Sequence, residues 1–159
     1  MRDFHKVSPA IWNSPAFRQV PDDARLVQFY FVTCAHQNAC GCFPLPDGYA
    51  ITDLFWTAER YVVARDALCA ATLIQFDAST SEVLVAKWFR HNPPMNPSHR
   101  KSVLAAIERV ASNHLRAAAY QGLTDAEDEA RAKQVAKSAS ASAASGNSLL
   151  HTTHLSRVK

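Results

Sequence analysis

Two stretches with helical signals, Asp47 to Leu54 and a second running to about Ala71, are separated only by Phe55-Trp56-Thr57, and Thr57 is a good N-cap for the second. A join this short forces the pair into a corner of the helix-turn-helix kind. Length limits what can surround that corner, because 159 residues hold one domain of ordinary size and an appendage. A hydrophobic fraction of 48% supplies a core for that domain.

Upstream of the corner, Ser8-Pro9 and Ser14-Pro15 each set a capping hydroxyl before a proline at the first helical position. They predict two short helical turns carrying Ile11, Trp12 and Phe17. Asp22 and Asp23 open a helix in which Val27, Tyr30, Phe31 and Cys34 recur on one face, with an end expected near His36-Gln37-Asn38. Cys40 to Pro46 reads as a short strand that its prolines keep at a sheet edge.

Downstream, Leu73 to Asp77 and Glu82 to Phe89 read as two strands of a hairpin around Ala78-Ser79-Thr80-Ser81. Pro97 then opens a long amphipathic helix with Val103, Leu104, Ile107, Val110, Ala111, Leu115 and Ala118 on one face. Trp12, Trp56 and Trp88 are read as core fillers first, with Trp56 either at the exposed corner or beneath it. The fold class expected is α+β: a winged helix-turn-helix with N-terminal helical turns, a long C-terminal helix and a disordered tail. Residues 1–116 form the domain. Residues 117–138 form a helical extension, with Gly122 as a C-cap before a capping box at Thr124-Asp125-Ala126-Glu127, and residues 139–159, rich in Ala and Ser, form the disordered tail.

Three stretches carry a resemblance. Val7-Ser8-Pro9-Ala10-Ile11-Trp12, Asn38-Ala39-Cys40-Gly41-Cys42-Phe43 and Trp88-Phe89-Arg90-His91-Asn92-Pro93, with Pro97 ahead of a basic helix, follow one another in a characteristic order. In that order and spacing, over roughly residues 3–112, the chain resembles the N-terminal winged-helix domain of phage replisome organisers and related replication-initiation proteins. The resemblance implies binding of double-stranded DNA at an origin and recruitment of a helicase or its loader. It carries over no individual DNA-contacting residue, and this chain has no second folded domain after residue 116 of the kind larger members use.

Charge places the expected contacts. On the helix after Thr57, Tyr61, Ala64, Leu68 and Ala71 face inward, which sets Glu59, Val63, Asp66 and Ala70 outward and Arg60 and Arg65 on the flanks. Two acids at the centre of that face disfavour base readout, so the flanking arginines are expected on phosphates. The stronger footprint runs from Lys87 to Arg116, where Lys87, Arg90, Arg100, Lys101, Arg109 and Arg116 meet one acid, Glu108, a local +5 in a chain whose net charge is +3. His91, His99 and His114 are further donors. The DNA-binding set expected is therefore Arg60, Arg65, Lys87, Arg90, His91, His99, Arg100 and Lys101, with a homodimer also compatible. Two other readings stay open: a dimeric transcriptional regulator, and a winged helix that docks a protein partner through Glu59 and Asp66.

No enzyme or cofactor is read from the sequence. With 4 glycines there is little material for a phosphate loop, and no carboxylate pair stands in a context that raises a pKa. Cys34, His36, Cys40 and Cys42 are a candidate zinc set, but their spacing is not a common structural pattern and Cys34 fits a buried helical stripe. His151 and His154 are at most adventitious metal ligands. No apolar run approaches the roughly 18 residues of a membrane span, and Met1 to Pro9 has no apolar signal core, so a cytoplasmic protein is expected.

Overall fold

The computed structural model describes residues 7–147, and of residues 140–147 the backbone alone. Those residues form an α+β structure, mostly helical, with a small antiparallel sheet of three strands in the order β1-β3-β2. Two compact units meet between Leu123 and Thr124, seven residues beyond the expected boundary at 116. None of the described helices is long and apolar enough to cross a membrane.

In the first unit the Ser-Pro pairs act as expected. Ser8 Oγ accepts from the Ala10 amide at the head of a 3-10 turn, Pro9–Asn13, and Ser14 Oγ accepts from the Phe17 amide at the head of α1, Pro15–Gln19. Phe17 is buried, whereas Trp12 is 58% exposed and meets Phe17 edge-on at 5.6 Å. Trp12 thus departs from the core role expected of it, because a turn of five residues has no second side to enclose its ring.

Helix α2, Asp22–Thr33, buries Ala24, Val27, Gln28 and Phe31. It ends before the expected His36 because Cys34 turns extended, although Cys34 itself stays buried. Strand β1, Cys42–Pro44, pairs with β3 alone and so takes the edge position its proline requires. Helices α3, Asp47–Leu54, and α4, Ala58–Ala70, follow with the expected join, and Thr57 Oγ1 accepts from the Arg60 amide. Strands β2, Ile74–Asp77, and β3, Glu82–Val85, close the hairpin in the register Ile74 to Val85 and Asp77 to Glu82.

Past the hairpin the structure corrects three expectations. Strand β3 stops at Val85, not Phe89, because Lys87 is left-handed (φ 55°) and turns the chain into α5, Trp88–His91. Trp88 then lies buried, its indole Nε1 donating to Ala39 O at 3.0 Å. The expected single helix from Pro97 is two: α6, Pro97–Glu108, and α7, Asn113–Asn147. Gly122 sits inside α7, so neither its C-cap nor the capping box at Thr124 forms. One interior glycine costs about 1 kcal/mol, which the alanine-rich flanks offset.

In the second unit α7 continues from Thr124 to Asn147 with Val135 exposed and Lys133 beside Glu129. Residues 139–147, expected to be disordered, are therefore helical, consistent with the high helix propensity of alanine. Residues 148–159, with His151 and His154, lie outside the described residues.

With few glycines, the chain makes its joins from other residues. Phe55, Thr72, Ser81 and Lys87 all have φ near +55°, between α3 and α4, α4 and β2, β2 and β3, and β3 and α5. Each such residue strains the backbone by roughly 1 kcal/mol where glycine would not.

Candidate nucleic-acid interface

Helix α4 faces as its pattern predicts, with Tyr61, Ala64 and Leu68 buried and Glu59, Val63, Asp66 and Ala70 exposed. The two arginines on its flanks, however, are directed to carboxylates. Arg60 makes a bidentate pair with Asp23 of α2, Nε to Oδ2 and Nη2 to Oδ1 each at 2.7 Å, and its guanidinium lies 4.0 Å from the Trp56 ring centroid. The hydrogen bonds from Arg60 hold the Asp23 carboxyl below its usual range.

Arg65 is bound more tightly. Its Nη1 donates to both Asp47 oxygens at 2.8 and 2.9 Å, its Nε and Nη2 donate to Asp66 Oδ1, and its plane lies 4.2 Å from the Phe76 ring centroid. Only 11% of its side chain is exposed. A phosphate would have to displace these partners, so Arg65 is a structural cation and Arg60 a paired one. The wheel placed both residues correctly, but Asp23 and Asp47 come from α2 and α3, which a single helix's pattern does not reveal.

The segment after the hairpin has a different character. From Val83 to Ile107 the chain has no acid, and Lys87, Arg90, His91, Arg100 and Lys101 in it are exposed. His99 is half-buried and serves locally, its Nδ1 accepting from the Met95 amide while its own amide donates to Asn96 Oδ1. Helix α6 begins with no acid in its first turn, and Arg100 and Lys101 come directly after it. Cations there oppose the positive end of the helix dipole, so this arrangement raises electrostatic potential at the expense of helix stability. Farther along, Arg116 is fixed by Val110 O and Asn113 Oδ1.

The candidate zinc residues do not form a centre. Cys34, Cys40 and Cys42 are buried, and burial pushes all three thiols up, away from the thiolate that metal binding needs. Cys40 Sγ instead donates to Asn38 Oδ1 and Cys42 O, and the His36 ring lies 4.5 Å from that of Tyr49. Among the described residues no group of three or more His, Cys, Asp and Glu is placed to hold a metal ion.

Sequence reasoning missed one polar cluster, at the junction of the hairpin with α7. Glu82, 4% exposed, accepts from the amides of Ala111 and Ser112, and these two bonds interrupt the helix expected to run through. Beside it, His114 Nδ1 lies 3.0 Å from Ser112 Oγ and 3.4 Å from Asp77 Oδ2. These residue types suggest a nucleophilic triad, but one ring nitrogen meets both neighbours and Ser112 is buried, whereas a triad needs one nitrogen for each. The cluster therefore reads as a structural latch.

Hydrogen bonds from Ser112 and Ser79 lower the Asp77 pKa from 3.8 to about 2. A depressed carboxylate contributes stability that is full above its unfolded pKa and is lost as pH falls through its folded one. Replacing Asp77 by asparagine is expected to flatten the stability profile between pH 3.8 and about 2, as read by denaturant midpoints across that range. An unchanged acid limb would contradict the latch.

No protein family, curated protein or solved structure matches this chain in comparison searches.

Proposed function

We propose that this chain is a winged-helix protein that binds duplex DNA through the basic segment 87–101. The order α2, β1, α3, α4, β2, β3, the three-residue corner and the sheet order β1-β3-β2 support the winged-helix reading. The observation that carries DNA binding is the exposed run of Lys87, Arg90, Arg100 and Lys101 in a stretch of sequence that has no acid, two of them near the start of α6. Such a surface supplies affinity through phosphates and counterion release, with little sequence information. Glu59 and Asp66 on α4, with Arg60 and Arg65 already paired, favour weak base discrimination. The resemblance to replisome organisers gives initiation of phage or plasmid-type replication as the setting.

Charge reversal tests this reading. The double variant Arg100→Glu/Lys101→Glu is expected to weaken binding to a duplex by about tenfold or more at roughly 50 mM salt, measured by fluorescence anisotropy. Arg60→Ala should change it by less than about twofold, since that guanidinium is held by Asp23. Equal affinity of the double variant and the parent would overturn the proposal.

A further inference from the structure

We propose that two copies of this chain associate head to tail, the basic segment 87–101 of one copy seating on the corner between α3 and α4 of the other. The corner carries an apolar feature that the fold does not need. Phe55 occupies a left-handed position at the C-terminus of α3, where glycine or asparagine is the usual residue, yet its ring is 94% exposed. The other left-handed residues apart from Gly41, which are Thr72, Ser81 and Lys87, are all polar. One helical turn after Phe55 begins the exposed stripe Glu59, Val63, Asp66 and Ala70, in which Val63 is 69% exposed. Residues 47–66 hold four acids, Asp47, Asp53, Glu59 and Asp66, against the two bases Arg60 and Arg65, a net −2; Arg65 is taken up by Asp47 and Asp66 and Arg60 by Asp23, which leaves the excess on Asp53 and Glu59 beside Phe55 in sequence. Exposed apolar side chains flanked by acid select a basic segment that brings an apolar anchor, and they disfavour a phosphate backbone or an anionic lipid surface.

Segment 87–101 has that complementary chemistry. Met95 is 85% exposed at its middle, a side chain that adapts to irregular surfaces. Pro93, Pro94 and Pro97 flank it, fixing φ and reducing the entropy lost on docking. Lys87, Arg90, Arg100 and Lys101 stand to either side with no acid between. Because donor and acceptor surfaces differ, the contact is heterologous and each copy keeps one surface for a further neighbour. The same segment is the proposed DNA contact, so DNA and self-association compete for it. The association itself does not rest on the DNA reading and is tested without nucleic acid.

The test is sedimentation velocity on the full chain from about 5 to about 200 µM, at roughly 50 mM and roughly 500 mM salt. The expected result is a concentration-dependent rise in sedimentation coefficient at low salt that disappears at high salt. Phe55→Asn, which relieves the backbone and is expected to melt no lower than the parent, should stay monomeric. Arg100→Glu/Lys101→Glu should also stay monomeric, because it lacks the donor charges. Mixed in equal amounts, the two variants should form a dimer, since the first retains the donor segment and the second the corner. A parent that stays monomeric throughout, self-association of Phe55→Asn equal to the parent's, or a mixture that fails to associate would each overturn the proposal.

Discussion

Replacing Gly41 by alanine is expected to destabilise the protein by about 3 kcal/mol or more. An added Cβ would lie 2.4 Å from Trp88 Cγ and 2.5 Å from Cδ2, closer than carbon atoms approach, and the backbone there has φ +69°. Neither partner can retreat cheaply. Trp88 is 6% exposed and tied to Ala39 O through its indole nitrogen, while Gly41 O accepts from the Val85 amide at 2.9 Å. In a chain of this size the loss lowers the melting temperature by roughly 6–12 °C. Thermal unfolding followed by near-ultraviolet circular dichroism reads both the shift and the altered tryptophan environment. A variant that melts with the parent would show that the contact is not made. The stretches Asn38–Phe43 and Trp88–Pro93, far apart in sequence, meet through this pair.

The second large effect is expected at Glu82. Truncation to alanine removes the acceptor for the Ala111 and Ser112 amides, the latter in a buried bond of 2.7 Å, and costs about 2–4 kcal/mol. Glu82→Gln keeps one oxygen and is expected to lose roughly half as much. Hydrogen exchange locates the effect. In Glu82→Ala the amides of Ala111 and Ser112 should lose protection, whereas those of α4, on the other side of the hairpin in sequence, should lose only what the global change in stability dictates. Unchanged protection at Ala111 and Ser112 would mean that another group terminates the break between α6 and α7.

The parts of the fold legible in sequence are those fixed by residues a few positions apart. The serine caps before Pro9 and Pro15, the Thr57 cap and the three-residue join of α3 to α4 act locally, and so does the edge position of β1. The break at residues 109–112 was not legible, because its cause is a carboxylate 29 and 30 residues away across the sheet. The end of β3 was hidden for a related reason. Its residues are buried on both faces, so no alternation marks where it stops, and the turn at Lys87 uses a left-handed residue that is neither glycine nor asparagine.

The candidate interface divides in the same way. The helical wheel of α4 gave the correct outward set, and the run from Lys87 to Lys101 could be read by counting charges. The pairing of Arg60 with Asp23 and of Arg65 with Asp47 could not, since those carboxylates are far from them in sequence and come into reach through the packing of α2 and α3 against α4.

The most direct measurement of the central claim is a salt titration of duplex binding by the full chain. Engagement of Lys87, Arg90, Arg100 and Lys101 with phosphates predicts tight binding at about 50 mM salt, with log K falling against log salt at a slope between about −3 and −4. Arg100→Glu/Lys101→Glu should flatten the slope by about 2. No binding to any duplex at low salt, or a slope that this variant leaves unchanged, would contradict the account.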